Sequence, residues 1–244
     1  MTYLAFHFVF ILPLIAVFAV LVARVRRMRD LRPDALAYIG LIAGVAFVYT
    51  IPWDNYLVYR DVWSYGPDRV LAVIGYVPVE EYAFFLLQPV LTGLWYLLVR
   101  DRLGHVAAPA TGRAKSVGVA FFLALTLVGV ALLIGGGHGL YMGLILAWAS
   151  PVLAGMWGLA GEALWANRRA ITWTVAPITL WLWIADRIAI GLGIWDITDA
   201  TRSGIDLVGL PIEEATFFLM TNLLVAKGLL LLSLRQTAAP PVSA

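Results

Sequence analysis

The chain alternates long apolar runs with short polar ones, and the runs have the length of membrane spans. Residues 3–23 form an uninterrupted apolar stretch, matching the roughly 20 residues a helix needs to cross a hydrocarbon core. Positive charge follows this run, at Arg24, Arg26, Arg27, Arg29 and Arg32. A signal peptide has the reverse order, so the segment reads as helix 1. Further spans are predicted at residues 34–52, ending near Pro52, and at 76–98, 116–134, 139–160, 171–191 and 207–232. The loop after the second span carries Asp54, Asn55, Arg60, Asp61, Asp68 and Arg69, and the fourth span stops at Gly135-Gly136-Gly137. The tail from Arg235, with Pro240-Pro241, reads as disordered. The pattern predicts an all-α polytopic membrane protein with seven transmembrane helices.

Composition supports this class. The chain is 62% hydrophobic and 13% charged over 244 residues, too little charge to cover a soluble surface of that size. The basic residues cluster on alternate loops, which sets a direction. With the N-terminus outside, twelve Lys and Arg fall on cytoplasmic segments and three, Arg60, Arg69 and Arg202, on outer loops. The expected location is the cell membrane, multi-pass, with the C-terminus cytoplasmic. This clustering speaks to a lipid bilayer rather than to nucleic acid. The absence of cysteine excludes disulfides, thiolate metal sites and Cys nucleophiles. His7, His105 and His138 form no metal-ligand spacing, and no Gly-rich strand-to-helix turn offers a place for flavin or nicotinamide. Neither a metal nor a cofactor is expected.

The candidate chemistry lies in a stretch that occurs twice. Residues Pro78-Val79-Glu80-Glu81-Tyr82-Ala83-Phe84-Phe85-Leu86 return as Pro211-Ile212-Glu213-Glu214-Ala215-Thr216-Phe217-Phe218-Leu219. Aligning 78–94 with 211–227 gives seven identities in seventeen positions, and Trp53-Asp54 and Trp195-Asp196 precede the two copies. Helices 1–3 therefore read as repeating in helices 5–7, with helix 4 as connector. The extra span keeps the copies parallel. The corresponding divisions are 1–104, a linker at 105–138, 139–234, and the tail at 235–244.

Proline suits a first helical position, and acidic residues in a first turn are ordinary caps. Duplication within apolar surroundings favours function instead. Adjacent glutamates point about 100° apart on a helix, so one of each pair can face the bundle interior. Phe84 and Phe85 lie one turn beyond Glu80 and Glu81, as Phe217 and Phe218 do beyond Glu213 and Glu214. Carboxyl groups crowded in a low dielectric cannot all ionise. A neutral acid beside aromatic faces can protonate an alkene, the rings can stabilise a carbocation, and a neighbouring carboxylate can take a proton back. Trp53 and Trp195 are candidates to line such a site, with Asp54 and Asp196 in supporting roles. Asp186 and Arg187 cannot face each other, and a structural role is favoured for them. Gln88 and Asn222 read as interhelical hydrogen-bond donors.

The paired Pro-x-Glu-Glu-x-x-Phe-Phe motifs at the starts of helices 3 and 7 resemble the lycopene cyclases of the heterodimeric or fused type, in the single-chain fused form. The resemblance spans all seven helices. It implies an enzyme of carotenoid biosynthesis acting on lycopene or a related acyclic carotenoid. An acid protonates the ψ end, a six-membered ring closes, and a proton leaves to give a β-ionone ring. It assigns the catalytic candidates to Glu80, Glu81, Glu213 and Glu214 without ordering acid and base. It also implies contact with other enzymes of the carotenoid pathway. Two readings of other classes stay open on the sequence. One is a retinal-binding seven-helix photoreceptor using Lys227, which lies about 21 Å along the helix from Glu213. The other is a small membrane transporter built on the internal repeat.

Overall fold

The computed structural model describes residues 1–29, 34–108 and 112–237. Among these, seven helices are long and apolar enough to cross a membrane. Helix α1 comprises Tyr3–Phe6, a π-helical turn His7–Ile11, and Leu12–Arg29. It is followed by α2 (Asp34–Tyr59), α3 (Val79–Leu103), α4 (Arg113–Gly135), α5 (Leu140–Ala166), α6 (Arg168–Gly191) and α7 (Ile212–Thr237). The expected tail is helical as far as Thr237, and residues 238–244 lie outside the described residues, as does Arg32.

Helix α2 does not end near Pro52 but continues through it to Tyr59. A proline removes only one helical hydrogen bond, and neighbouring helices in a membrane bundle stabilise the remaining ladder. Asp54 is consequently a buried helical residue and not a loop residue. Pro89, Pro151 and Pro177 are likewise accommodated inside α3, α5 and α6.

Helices α3 and α7 are the most buried of the seven and pack against each other. Each is flanked by the two helices before it, α1 and α2 around α3, and α5 and α6 around α7. They also cross over, α3 touching α6 and α7 touching α2. A polar layer pins this centre. Gln88 Nε2 donates to Asn222 Oδ1 at 2.6 Å, and Asn222 Nδ2 donates to Thr179 Oγ1 on α6 at 3.0 Å. The Thr92 hydroxyl lies 2.6 Å from the same Asn222 oxygen. The expectation that Gln88 and Asn222 join helices is met here. Hydrogen bonds of this kind hold membrane helices where the hydrophobic effect offers no drive.

Helix α4 packs mainly on α5. Small residues allow the close approach: a Cβ on Gly118 would overlap the Trp157 ring, and one on Gly161 would meet the Lys115 backbone at 2.4 Å. Glu162 of α5 accepts from the Ala114 amide at 2.8 Å, satisfying a donor that the start of α4 leaves free.

Short strands close the end of the bundle at which α1, α3, α5 and α7 begin. Strand β1 (Trp63–Tyr65) pairs antiparallel with β4 (Trp195–Ile197), setting Tyr65 opposite Trp195. Two tight hairpins lead directly into the central helices: β2 (Val73–Ile74) with β3 (Val77–Pro78), and β5 (Asp206–Leu207) with β6 (Leu210–Pro211). The second hairpin turns through Val208 and Gly209, both at positive φ. Glycine adopts that conformation readily and a β-branched valine does not.

Candidate active site

Both glutamate pairs are buried, each residue at 6% exposure or less, but the two members of a pair turn different ways. The first member holds its own hairpin. Glu80 Oε1 accepts from the Leu71 amide at 2.8 Å, and Glu213 Oε1 accepts from the Ser203 amide at 2.7 Å. The second member faces inward. Tyr3 on α1 donates its hydroxyl to Glu81 Oε2 at 2.5 Å. Tyr141 on α5 donates to Glu214 Oε1 at 2.6 Å, and Trp63 Nε1 donates to the same oxygen at 3.1 Å. The 100° step between adjacent helical residues separates the two tasks.

Glu81 and Glu214 line one small chamber of about 30 Å³ together with Asp186, Tyr65 and a shell of aromatic rings. Asp186 projects into it from α6. Its Oδ1 accepts from Trp195 Nε1 at 2.8 Å, while its Oδ2 is buried, makes no hydrogen bond of good geometry, and lies beside the Glu214 carboxyl. Asp54 is buried with neither oxygen partnered among those residues. The Tyr65 hydroxyl is also buried and unpartnered by hydrogen-bond geometry. Desolvation first, and then the neighbouring Glu81 charge, push the Tyr65 phenol well above its ordinary value, so it stays a neutral donor at the chamber wall.

Aromatic rings make up the rest of the wall. Phe84 and Phe218 meet edge-on with centroids 6.2 Å apart, and Phe217 meets Phe218 at 5.3 Å. Phe84, Phe217 and Phe218 all line the chamber. Their faces present negative quadrupole density to any positive charge that forms there. The π-helical turn at His7–Ile11 widens α1 where Tyr3, Phe6, His7 and Ile11 are all buried. Turns of this kind recur at functional sites.

No family model matches the chain, and no solved structure matches it. Curated relatives do. A lycopene beta-cyclase of Halobacterium salinarum is 42% identical over 197 residues, covering 80% of this chain and 81% of the relative. The chain belongs to the lycopene cyclase family. A bifunctional lycopene cyclase/phytoene synthase of Podospora anserina is 40% identical over 204 residues, covering 78% of this chain and 34% of that longer protein. A second fungal bifunctional protein, from Gibberella fujikuroi, is 38% identical over 224 residues.

In this member of the lycopene cyclase family the remaining candidates are distributed as follows. Trp195 and the four phenylalanines lie at the chamber or directly beneath it, Phe85 in the cavity below. Trp53 stands behind Phe217, stacked on it at 5.6 Å with planes 6° apart, and donates from Nε1 to the Leu144 carbonyl at 3.2 Å. Asp196 is exposed in β4, and the acidic residue that reaches the chamber is Asp186. Trp63, which the sequence reading did not single out, binds Glu214. The signal for it was spacing: Trp63 and Trp195 stand fifteen and sixteen residues before the motif prolines. Tyr3 and Tyr141 were also missed, because a tyrosine at the end of a span is ordinarily an interfacial anchor.

Lys227, on which the chromophore reading depends, does not reach the carboxylates. Its ammonium lies 4.5 Å from the Phe122 ring centroid and 5.3 Å from that of Trp157, on the α4–α5 side. Among the described residues no group of three His, Asp or Glu side chains is arranged to hold a metal ion.

Proposed function

We propose that this protein closes rings at the ψ ends of lycopene by acid catalysis, giving β-ionone rings in carotenoid biosynthesis. The observation that carries the reading is the convergence of Glu81 and Glu214, from two different helices, on one chamber walled by aromatic rings. One carboxyl group gives a proton to the terminal alkene, leaving a tertiary carbocation. The next alkene of the chain attacks that centre and forms the carbon–carbon bond of the ring. The carbon that made the bond then loses its proton to a carboxylate, and its electron pair becomes the ring double bond. Bonds and protons balance, so the steps need neither oxidant nor reductant. The walls exclude water that would trap the cation as an alcohol.

Solvent isotope tests this sequence. Cyclisation of unlabelled lycopene by the protein in vesicles made up in deuterated buffer, with no added flavin, should place one deuterium in each ring formed. Mass spectrometry reads the shift, and rings without deuterium would rule out an exchangeable carboxyl as the donor.

The same reading treats the fold as two parallel three-helix repeats, 1–104 and 139–234, joined by the 105–138 linker. Supporting it are the paired hairpins before α3 and α7 and the paired hydrogen bonds Tyr3–Glu81 and Tyr141–Glu214. We place the N-terminus and the glutamate end outside, following the charge bias. Reporter fusions after Arg29, Arg113 and Arg169 should then read cytoplasmic, and fusions near Asp61 and Asp199 external. The opposite pattern would put the chamber at the cytoplasmic face.

A further inference from the structure

A second cavity, of about 180 Å³, lies directly beneath the carboxylate chamber. Phe84 and Phe217 line both spaces, so the two meet at these rings. The lower cavity is walled by α2, α3, α5 and α7, with Ile42, Met156 and Val225 among its apolar sides. It extends toward the flank of the bundle. Val45, Tyr49 and Trp148 line it and also line an open groove on the outer surface between α2 and α5.

That groove is bordered by Gly40 and Gly44, one turn apart on α2. A Cβ at either position would meet no atom within 4 Å. The missing side chains therefore leave a slot facing the lipid, not a tight helix contact. Between slot and cavity stand two rings. Tyr49 stacks on Trp148 at 5.2 Å, and its hydroxyl donates to the Trp148 carbonyl at 3.0 Å. Trp148 is held on its other side by Trp53, stacked at 4.6 Å, so Tyr49, tied to it by one ring stack and one hydrogen bond, is the side chain that yields for the passage to widen.

We propose that α2 and α5 form the entrance for the polyene, and that the lower cavity holds the segment of substrate next to the reacting end. The proposal rests on the cyclisation reading and adds where the rest of the substrate lies. The occupant is a long acyclic polyene already dissolved in the bilayer. Its path runs from the slot past Tyr49 and Trp148, along Phe85, to the ring formed by Phe84 and Phe217. From Glu214 to Val225 this is eleven residues of α7, about 16 Å of depth. Of the polar side chains on the wall, Gln88 is bonded to Asn222, and the Tyr49 and Thr221 hydroxyls to backbone carbonyls. Trp148 Nε1 is buried without a partner among the described residues, and the rest of the wall is predominantly apolar, as a hydrocarbon requires.

The absence of native cysteine makes the entrance directly testable. A Gly44→Cys variant should react with a membrane-permeant maleimide in vesicles, and lycopene in those vesicles should slow the reaction severalfold. A Leu127→Cys variant, at an exposed site on α4, should be unaffected by lycopene. Protection at Gly44→Cys is read independently of ring closure, so it separates this proposal from the catalytic one. In parallel, Gly44→Trp places an indole in the slot from a position where the Cβ itself meets no atom within 4 Å. It should leave the folded yield unchanged and lower lycopene conversion about tenfold or more, the scale of a misplaced substrate. Equal labelling of Gly44→Cys with and without lycopene, together with wild-type conversion by Gly44→Trp, would overturn the α2–α5 entrance. Loss of conversion by the wild-type protein with protection intact would instead count against the cyclisation reading alone.

Discussion

Glu81→Gln and Glu214→Gln are each expected to lower ring closure by at least ~10²-fold at unchanged protein level, the scale of losing a positioned acid or base. Glutamine keeps the shape and can still accept from Tyr3 or from Tyr141 and Trp63. It has no acidic proton to give and no carboxylate to receive one. Glu80→Gln and Glu213→Gln should behave differently. Each of these residues accepts a hairpin amide, from Leu71 and Ser203, and an amide oxygen serves that purpose as well. The cost there is about 1 kcal/mol or less, with cyclisation retained. Truncation to alanine at the same two positions removes the acceptor of a partly buried backbone donor and should destabilise by about 1–2 kcal/mol. Product chromatography from lycopene-containing membranes, normalised to folded protein, distinguishes the two classes. Full activity in Glu81→Gln and Glu214→Gln would reduce the motif to architecture.

The helices were legible in the sequence because a span announces itself by length and apolarity alone. The glutamate pairs were legible because they are duplicated where carboxyls are costly. Which member of each pair faces the chamber was not legible. The 100° step says only that the two differ, and the rotation of α3 and α7 is set by packing against α1, α2, α5 and α6. Pro52 predicts an early end of α2 by a local rule for soluble helices, whereas α2 continues through it, packed on α3 and α7. That rule puts Asp54 in a loop. It also allows Trp53-Asp54 to be matched with Trp195-Asp196 as strings. The antiparallel pairing of β1 with β4 associates Trp195 with the strand of Trp63 instead, and leaves Asp54 and Asp186 each buried within a helix.

The exchange of Asp196 for Asp186 gives the second large expectation. Asp186→Asn should lower cyclisation by at least ~10-fold with normal folding, whereas Asp196→Asn should leave it near the wild-type rate. Asparagine at 186 can keep an oxygen toward Trp195 Nε1, so the local packing survives. Its NH₂ group then takes the place of Oδ2 at the chamber, beside the Glu214 carboxyl. A carboxyl oxygen there faces developing positive charge with electron density, whereas an amide N–H presents the positive end of a dipole. The loss should therefore appear in kcat, because the carbocation exists only along the reaction path, with KM for lycopene little changed. A purely structural role for Asp186 would instead lower the folded yield and leave turnover per folded molecule intact. Asp196 is exposed within the strand pair, opposite Ser64, and is outside the chamber wall, so its charge is screened by solvent. Equal activity of the two variants would remove Asp186 from the chemistry and leave Glu81 and Glu214 to act with the aromatic wall alone.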